Sequence, residues 1–152
     1  MNDTPTIKKN ILVVEDEAPL RNALSEMLTR EGFGVFEAKD GQEGLDYALK
    51  EKPDVILLDL VMPVMDGMTM LKLLRADKEY GEKVPVIVLS NVSIVDERVT
   101  KGVNTANPEF YLVKANWPIE GVVNKVKTIL SNVEMRKSTL SENATFTGNV
   151  NG

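Results

Sequence analysis

The chain of 152 residues has no cysteine and no histidine. Without cysteine there is no disulfide, no thiol nucleophile and no thiolate metal site. Without histidine, Ser-His-Asp and Cys-His catalysis and the usual zinc ligand sets are excluded, and the chain carries no phosphohistidine of its own. Basic charge is scarce as well. Lys and Arg number 18 against 23 Asp and Glu, a formal charge of -5, with a pI near 4.9, which argues against general nucleic-acid binding. No apolar run approaches the roughly 18 residues that would span a bilayer. The opening Met1-Asn2-Asp3-Thr4-Pro5-Thr6 lacks an apolar signal region, so a cytoplasmic location is expected. What remains, 43% hydrophobic and 27% charged residues, is the composition of an ordinary globular domain. The length suits one domain with a real core and no need of staples.

Four short apolar runs each finish in a polar group. Ile11-Leu12-Val13-Val14 leads into Glu15-Asp16, and Val55-Ile56-Leu57-Leu58 into Asp59. Val86-Ile87-Val88-Leu89 ends in Ser90, and Phe110-Tyr111-Leu112-Val113 in Lys114. Burying an unpaired carboxylate costs several kcal/mol or more, so an acid directly after such a run implies a partner or a chemical task.

Runs of this kind, short and apolar throughout, read as strands buried on both faces. Between them lie helical patterns. Ala18 to Arg30 carries Leu20, Ala23, Leu24, Met27 and Leu28, with Pro19 in a first-turn position. After Gly32 and Gly34 comes a short second strand, Val35 to Ala38. Asp40 reads as the N-cap of a helix that closes before Pro53, and Gly67 opens another that runs to about Asp77. A valine-rich helix is expected over 92–102, intrinsically soft because of its β-branched residues. Pro118 starts the last one, with Ile119, Val122, Val123, Val126 and Ile129 on one face and fraying expected beyond Ser131. Residues 1–8 and the polar stretch 134–152 are expected to be disordered, leaving a domain over 9–133. Five strands alternating with five helices make a doubly wound parallel α/β sheet, because parallel neighbours need crossover connections. In such sheets ligands bind beyond the carboxyl ends of the strands, the edge where Glu15, Asp16, Asp59, Ser90 and Lys114 all fall.

Three carboxylates on one edge repel one another and call for a cation. A hard dication such as Mg²⁺ fits, since it favours one or two carboxylates, waters and a phosphate. An ammonium and a hydroxyl on the same edge suit phosphate oxygens. Asp59, Asp16 or Glu15 could serve as a nucleophile that forms an acyl phosphate.

With these residues in place, the chain resembles a two-component response-regulator receiver domain over about Lys9 to Leu130. The resemblance is carried by Val-Val-Glu-Asp-Glu at the first strand and Leu-Leu-Asp-Leu-Val-Met-Pro-Val-Met-Asp-Gly at the third, with Leu-Ser at the fourth and Tyr-Leu-Val-Lys at the fifth. It implies a flavodoxin-like sheet of order 2-1-3-4-5 with five flanking helices. It implies that Asp59 is the phosphoacceptor and that Glu15, Asp16, Asp59 and the backbone carbonyl of Val61 bind Mg²⁺. Lys114 and Ser90 would contact the phosphoryl group, Ser90 as the switch hydroxyl and Tyr111 as an aromatic switch. Asp16 is also expected to do some capping of the first helix. A histidine kinase or histidine phosphotransfer protein would supply the phosphoryl group. Output would pass through protein contacts, with a homodimer or a partner meeting the helix over 92–102, the fifth strand and the last helix; no nucleic acid or membrane is expected.

Three positions depart from the family pattern. Ala115 follows Lys114 where proline is usual, so a trans peptide is expected there. Asn91 follows Ser90 where a smaller residue is common, and 104–109 lacks the usual Gly-Ala. Val61 and Val92 stand two residues after Asp59 and Ser90, the positions that influence attack by water in this family. Neither valine can orient a water, so slow self-dephosphorylation is expected and the chain is not expected to turn over a substrate. Two alternatives stand beside this reading: a degenerate receiver used as a scaffold, and a phosphatase of the haloacid-dehalogenase type. The latter wants a second aspartate where Val61 stands.

Overall fold

Alternation along the strands builds two cores, one on each face of a single sheet. The computed structural model describes residues 8–91, 101 and 107–150, with side chains in the last helix described through Arg136. The strands are β1 (Asn10–Val14), β2 (Gly34–Ala38), β3 (Val55–Leu58), β4 (Val86–Ser90) and β5 (Phe110–Val113), and the helices are α1 (Ala18–Arg30), α2 (Gly41–Glu51), α3 (Gly67–Arg75) and α4 (Ile119–Val150). All strand pairs are parallel, in the order β2-β1-β3-β4-β5. The flavodoxin-like order is as expected. Apart from Lys101, the helix predicted over 92–102 lies outside the described residues, which accounts for four α-helices where five were expected. The N-terminal segment 1–7 lies outside them too.

Leu12, Val14, Ile56, Leu58, Val86 and Val88 face Ala48 of α2 and Met70, Leu71 and Leu74 of α3. Their neighbours Ile11, Val13, Val55, Leu57, Ile87 and Leu89 face Leu24 and Leu28 of α1 and Val122, Val123, Val126 and Ile129 of α4. The period of two in strand side chains makes this division. The central strands are apolar throughout because neither face meets water.

Local signals set the helix ends. Asp40 accepts a hydrogen bond from the Glu43 N–H at 2.8 Å, and Asp66 one from the Thr69 N–H at 2.8 Å, each satisfying a donor that the helix itself leaves unpaired. α2 ends on Lys52 in the left-handed region, φ 49°. The first helix differs from expectation. Its N-cap is Glu17, with no side-chain cap, so Asp16 does not cap it.

The last helix also departs from expectation. It continues to Val150, 32 residues in all, about 48 Å at 1.5 Å per residue, rather than fraying beyond Ser131 into a tail from 134. Burial of Val122, Val123, Val126 and Ile129 nucleates it, at about 1.5–3 kcal/mol per fully buried side chain. Between Gly121 and Gly148 no glycine or proline interrupts the run. Propagation past the packed turns then adds one hydrogen bond per residue ordered, and polar composition alone does not stop it. Lys9 to Glu134 at 3.0 Å and Lys127 to Glu31 at 2.6 Å tie this helix to the start of β1 and the end of α1.

Candidate functional site

Strand register decides which polar groups meet. Val14 pairs with Leu58, Leu58 with Val88, and Ser90 with Val113. The residues just past these pairs, Glu15, Asp59 and Lys114, therefore leave the sheet side by side. The backbone continues the ladder one step further on the acid side, where the Asp59 N–H donates to the Val14 carbonyl at 3.0 Å and the Glu15 N–H to Ala38 at 2.9 Å.

Lys114 Nζ lies 2.6 Å from Glu15 Oε1 and 3.2 Å from Asp59 Oδ2. The other oxygen of Asp59 accepts a longer hydrogen bond, 3.4 Å, from the Val61 N–H. Glu15 and Asp59 are 3% and 5% exposed, so this ammonium is held between two carboxylates that have left water. Burial pushes the Glu15 carboxyl up to about 7; its hydrogen bond to Lys114 works the other way, and Asp59 adds to the rise. For Lys114 burial works to lower the pKa, but Glu15 and Asp59 together outweigh it and the net shift is upward. A single lysine thus leaves the site short of positive charge.

Glu15 Oε2 has no hydrogen-bond partner although it is buried. One oxygen each from Glu15, Asp16 and the acceptor candidate Asp59 lie within 4.8 Å of one another, with Asp16 exposed at the rim. An orphaned buried oxygen beside two further carboxylates fits a hard divalent cation with oxygen ligands and open positions for water.

Of the other residues expected here, Ser90 is fully buried at the end of β4. Tyr111 is half-buried in β5 and packs against the core shared with α2 and α3. Val61 is 64% exposed, and Val92 lies outside the described residues. Lys114, Ala115 and Asn116 form one 3₁₀ turn, and no described peptide bond is cis, so the lysine reaches the acids from a trans peptide.

Two glycines shape the loop after Asp59. A Cβ on Gly67 would run into the Asp59 carbonyl oxygen, and one on Gly41 into that of Met65. The Gly67 N–H donates to Leu60 at 2.9 Å and the Gly41 N–H to Met65 at 2.9 Å. The helix start is thereby drawn against the backbone of Asp59, where no side chain fits. Between them Val64 takes φ 68° and is 83% exposed, a rare conformation for a β-branched residue. Reading by sequence missed Arg21, which donates to the Glu15 and Asp16 carbonyls. No pattern in the chain marks it, because a basic residue in a helix otherwise reads as solvated surface.

Comparison with known proteins identifies the family. The family model described as response regulator receiver domain matches residues 11–118. The chain belongs to the response regulator receiver domain family. Receiver domains are signalling modules of two-component systems, and acceptance of a phosphoryl group is general to them. This receiver is similar to the transcriptional regulatory protein PrrA of Mycobacterium tuberculosis, 40% identical over 128 residues, 84% of this chain and 52% of that protein. It is also similar to the probable transcriptional regulator ycf27 of Porphyridium aerugineum, 34% identical over 131 residues, 86% of this chain and 52% of that one. The chain spans about half the length of these curated relatives. Among solved structures, the chemotaxis protein CheY4 of Vibrio cholerae superimposes with a TM-score of 0.71 at 27% identity, covering 80% of this chain and 98% of that one. A CheY-like receiver from Methanospirillum hungatei reaches 0.77 at 22% identity over 86% and 99%, a likeness of fold. Response regulators as a class work with histidine kinases and output partners. No helix among the described residues is long and apolar enough to cross a membrane.

Proposed function

We propose that this receiver accepts a phosphoryl group on Asp59, with Mg²⁺ bound by Glu15, Asp16, Asp59 and the Val61 carbonyl, and that phosphorylation switches its protein contacts. The observation that carries the reading is Lys114 Nζ at 2.6 and 3.2 Å from Glu15 and Asp59, next to the three convergent carboxylates. The chain has no histidine, so the phosphoryl group comes from a partner, a histidine kinase or histidine phosphotransfer protein. An Asp59 oxygen attacks phosphorus, the bond from phosphorus to the donor breaks, and an acyl phosphate forms. When bound, Mg²⁺ supplies neutralisation of the carboxylates and of the phosphoryl oxygens. Lys114, already against Asp59, contributes a fixed positive charge. Ser90 donates its hydroxyl to a phosphoryl oxygen, and Tyr111 turns inward as Ser90 moves. The switched surface comprises residues 92–102, β5 and the start of α4, where an output protein or a second copy docks. The chain works as a signalling module that catalyses only its own phosphorylation and slow dephosphorylation, in the cytoplasm.

The test uses Trp117, the single tryptophan, which is half-buried against the core three residues after Lys114. Beryllofluoride with Mg²⁺ is expected to change its fluorescence in the wild type and not in Asp59→Asn. A response retained by Asp59→Asn overturns the assigned acceptor. No response in the wild type favours a non-switching scaffold instead.

A further inference from the structure

We infer that Arg21 is a positioning residue for the metal-binding acids: its guanidinium holds the backbone of the Glu15–Asp16 step so that both carboxylates converge with Asp59 on one cation. The inference rests on the Mg²⁺-dependent reading of the site given above. Arg21 Nη1 donates to the Glu15 carbonyl at 2.8 Å and, at 3.4 Å, to the Asp16 carbonyl. Its Nε lies 3.7 Å from Glu37 Oε2 on the neighbouring strand β2, and the arginine side chain is 18% exposed.

Three observations single this contact out. Asp16 is exposed, and among the described residues its carboxylate accepts no hydrogen bond, so the position of its backbone is what brings it within reach of Glu15 and Asp59. Beyond the Glu15 N–H, which makes the last ladder bond to Ala38, the backbone of Asp16 belongs to neither β1 nor α1. The usual devices for ordering such a step are missing, since the N-cap Glu17 makes no side-chain cap and the first turn of α1 has no acidic residue. In their place stands a guanidinium at the positive end of the helix dipole, a location that disfavours cations. Arginine breaks the local rule there and gains two consecutive carbonyls. A planar fork of donors can serve both carbonyls and Glu37 together, whereas an ammonium acts as a point donor.

Charge and position make opposite predictions. If Arg21 acts only by its charge, it repels a dication and its removal tightens Mg²⁺ binding. If it positions the acids, removal weakens binding even though a positive charge has gone.

Calorimetric Mg²⁺ titration of the full chain, beside urea titration in metal-free buffer, separates the two. Arg21→Met is expected to bind Mg²⁺ about tenfold more weakly or worse, the scale for losing an outer partner of a metal ligand. Arg21→Lys is expected to fall between it and the wild type. Glu37→Gln, which leaves the carbonyl contacts in place, is expected within about twofold of wild type, as for a half-exposed ion pair. Unchanged or tighter binding by Arg21→Met overturns the inference, as does a loss of stability with Mg²⁺ affinity untouched. Should Arg21→Met fail to fold, Arg21→Lys decides, and wild-type affinity in that variant overturns the inference. A wild type that binds no Mg²⁺ overturns the underlying reading of the site, and the inference with it.

Discussion

Replacing Glu15 by Gln tests the electrostatics of the site most directly. The Glu15 carboxyl, 3% exposed, is raised from 4.5 to about 7, first by burial, against the pull of Lys114 and with a contribution from Asp59. Between those two values the folded chain holds a proton that the unfolded chain has released. The contribution of Glu15 to stability is therefore greatest below pH 4.5, declines as pH rises through 4.5 to 7, and levels off above. At about 1.4 kcal/mol per pH unit, the interval is worth about 3 kcal/mol between its extremes. Urea titrations in metal-free buffer from pH 4.5 to 8 are expected to show the wild type losing about that much relative to Glu15→Gln. Taking the difference between the two proteins removes the other carboxylates from the comparison. Mg²⁺ is expected to shrink the difference, because the cation replaces the proton and binds only the folded state. For the same reason apparent Mg²⁺ affinity is expected to be about tenfold weaker at pH 6 than at pH 8. Parallel pH curves for wild type and Glu15→Gln would refute this account of a proton held by burial.

Three further outcomes are expected. Lys114→Met leaves two buried carboxylates facing one another and is expected to cost about 3 kcal/mol without Mg²⁺, read from the urea midpoint; a loss below about 1 kcal/mol would mean the lysine is not the compensating charge. Val64→Asn replaces a β-branched residue at φ 68° by one that tolerates the left-handed region, and is expected to stabilise by up to about 1 kcal/mol. Thermal unfolding checks it, with destabilisation as the contrary result. The phosphorylated receiver in Mg²⁺ is expected to persist with a half-life above about a minute, a barrier near 20 kcal/mol, because Val61 and Val92 cannot direct a water. Loss of label within seconds after removal of phosphodonor would count against that.

Strands were legible because their residues are apolar on both faces, a pattern that only a doubly covered parallel sheet explains. The run Val55 to Leu58, short and β-branched at its start, reads as such a strand, and Asp59 at its end marked a candidate site. Capping was half legible. Asp40 caps as read, Asp66 caps α3 without having been singled out as its cap, and at α1 the acid expected to cap, Asp16, leaves that position to Glu17. The extent of α4 was not legible beyond Ser131, since propagation from packed turns outweighs weak local preference. Arg21 was invisible in sequence for a different reason. Its partners are backbone carbonyls, which leave no mark in the residue pattern.

The chain by itself determined the inventory: no histidine and no cysteine, acids after two strands, a hydroxyl and an ammonium after two others. Those identities exclude histidine and thiol chemistry whatever the fold. Only the tertiary structure decided which groups meet. Parallel register brings Glu15, Asp59 and Lys114 to one edge from positions up to 99 residues apart, and burial there turns an ordinary lysine and two ordinary acids into a charge-deficient cluster. The reason is physical. A carboxylate's affinity for a proton, a cation or a phosphoryl group depends on how much water it has lost and what stands within 3 Å or so, and both are properties of the folded chain.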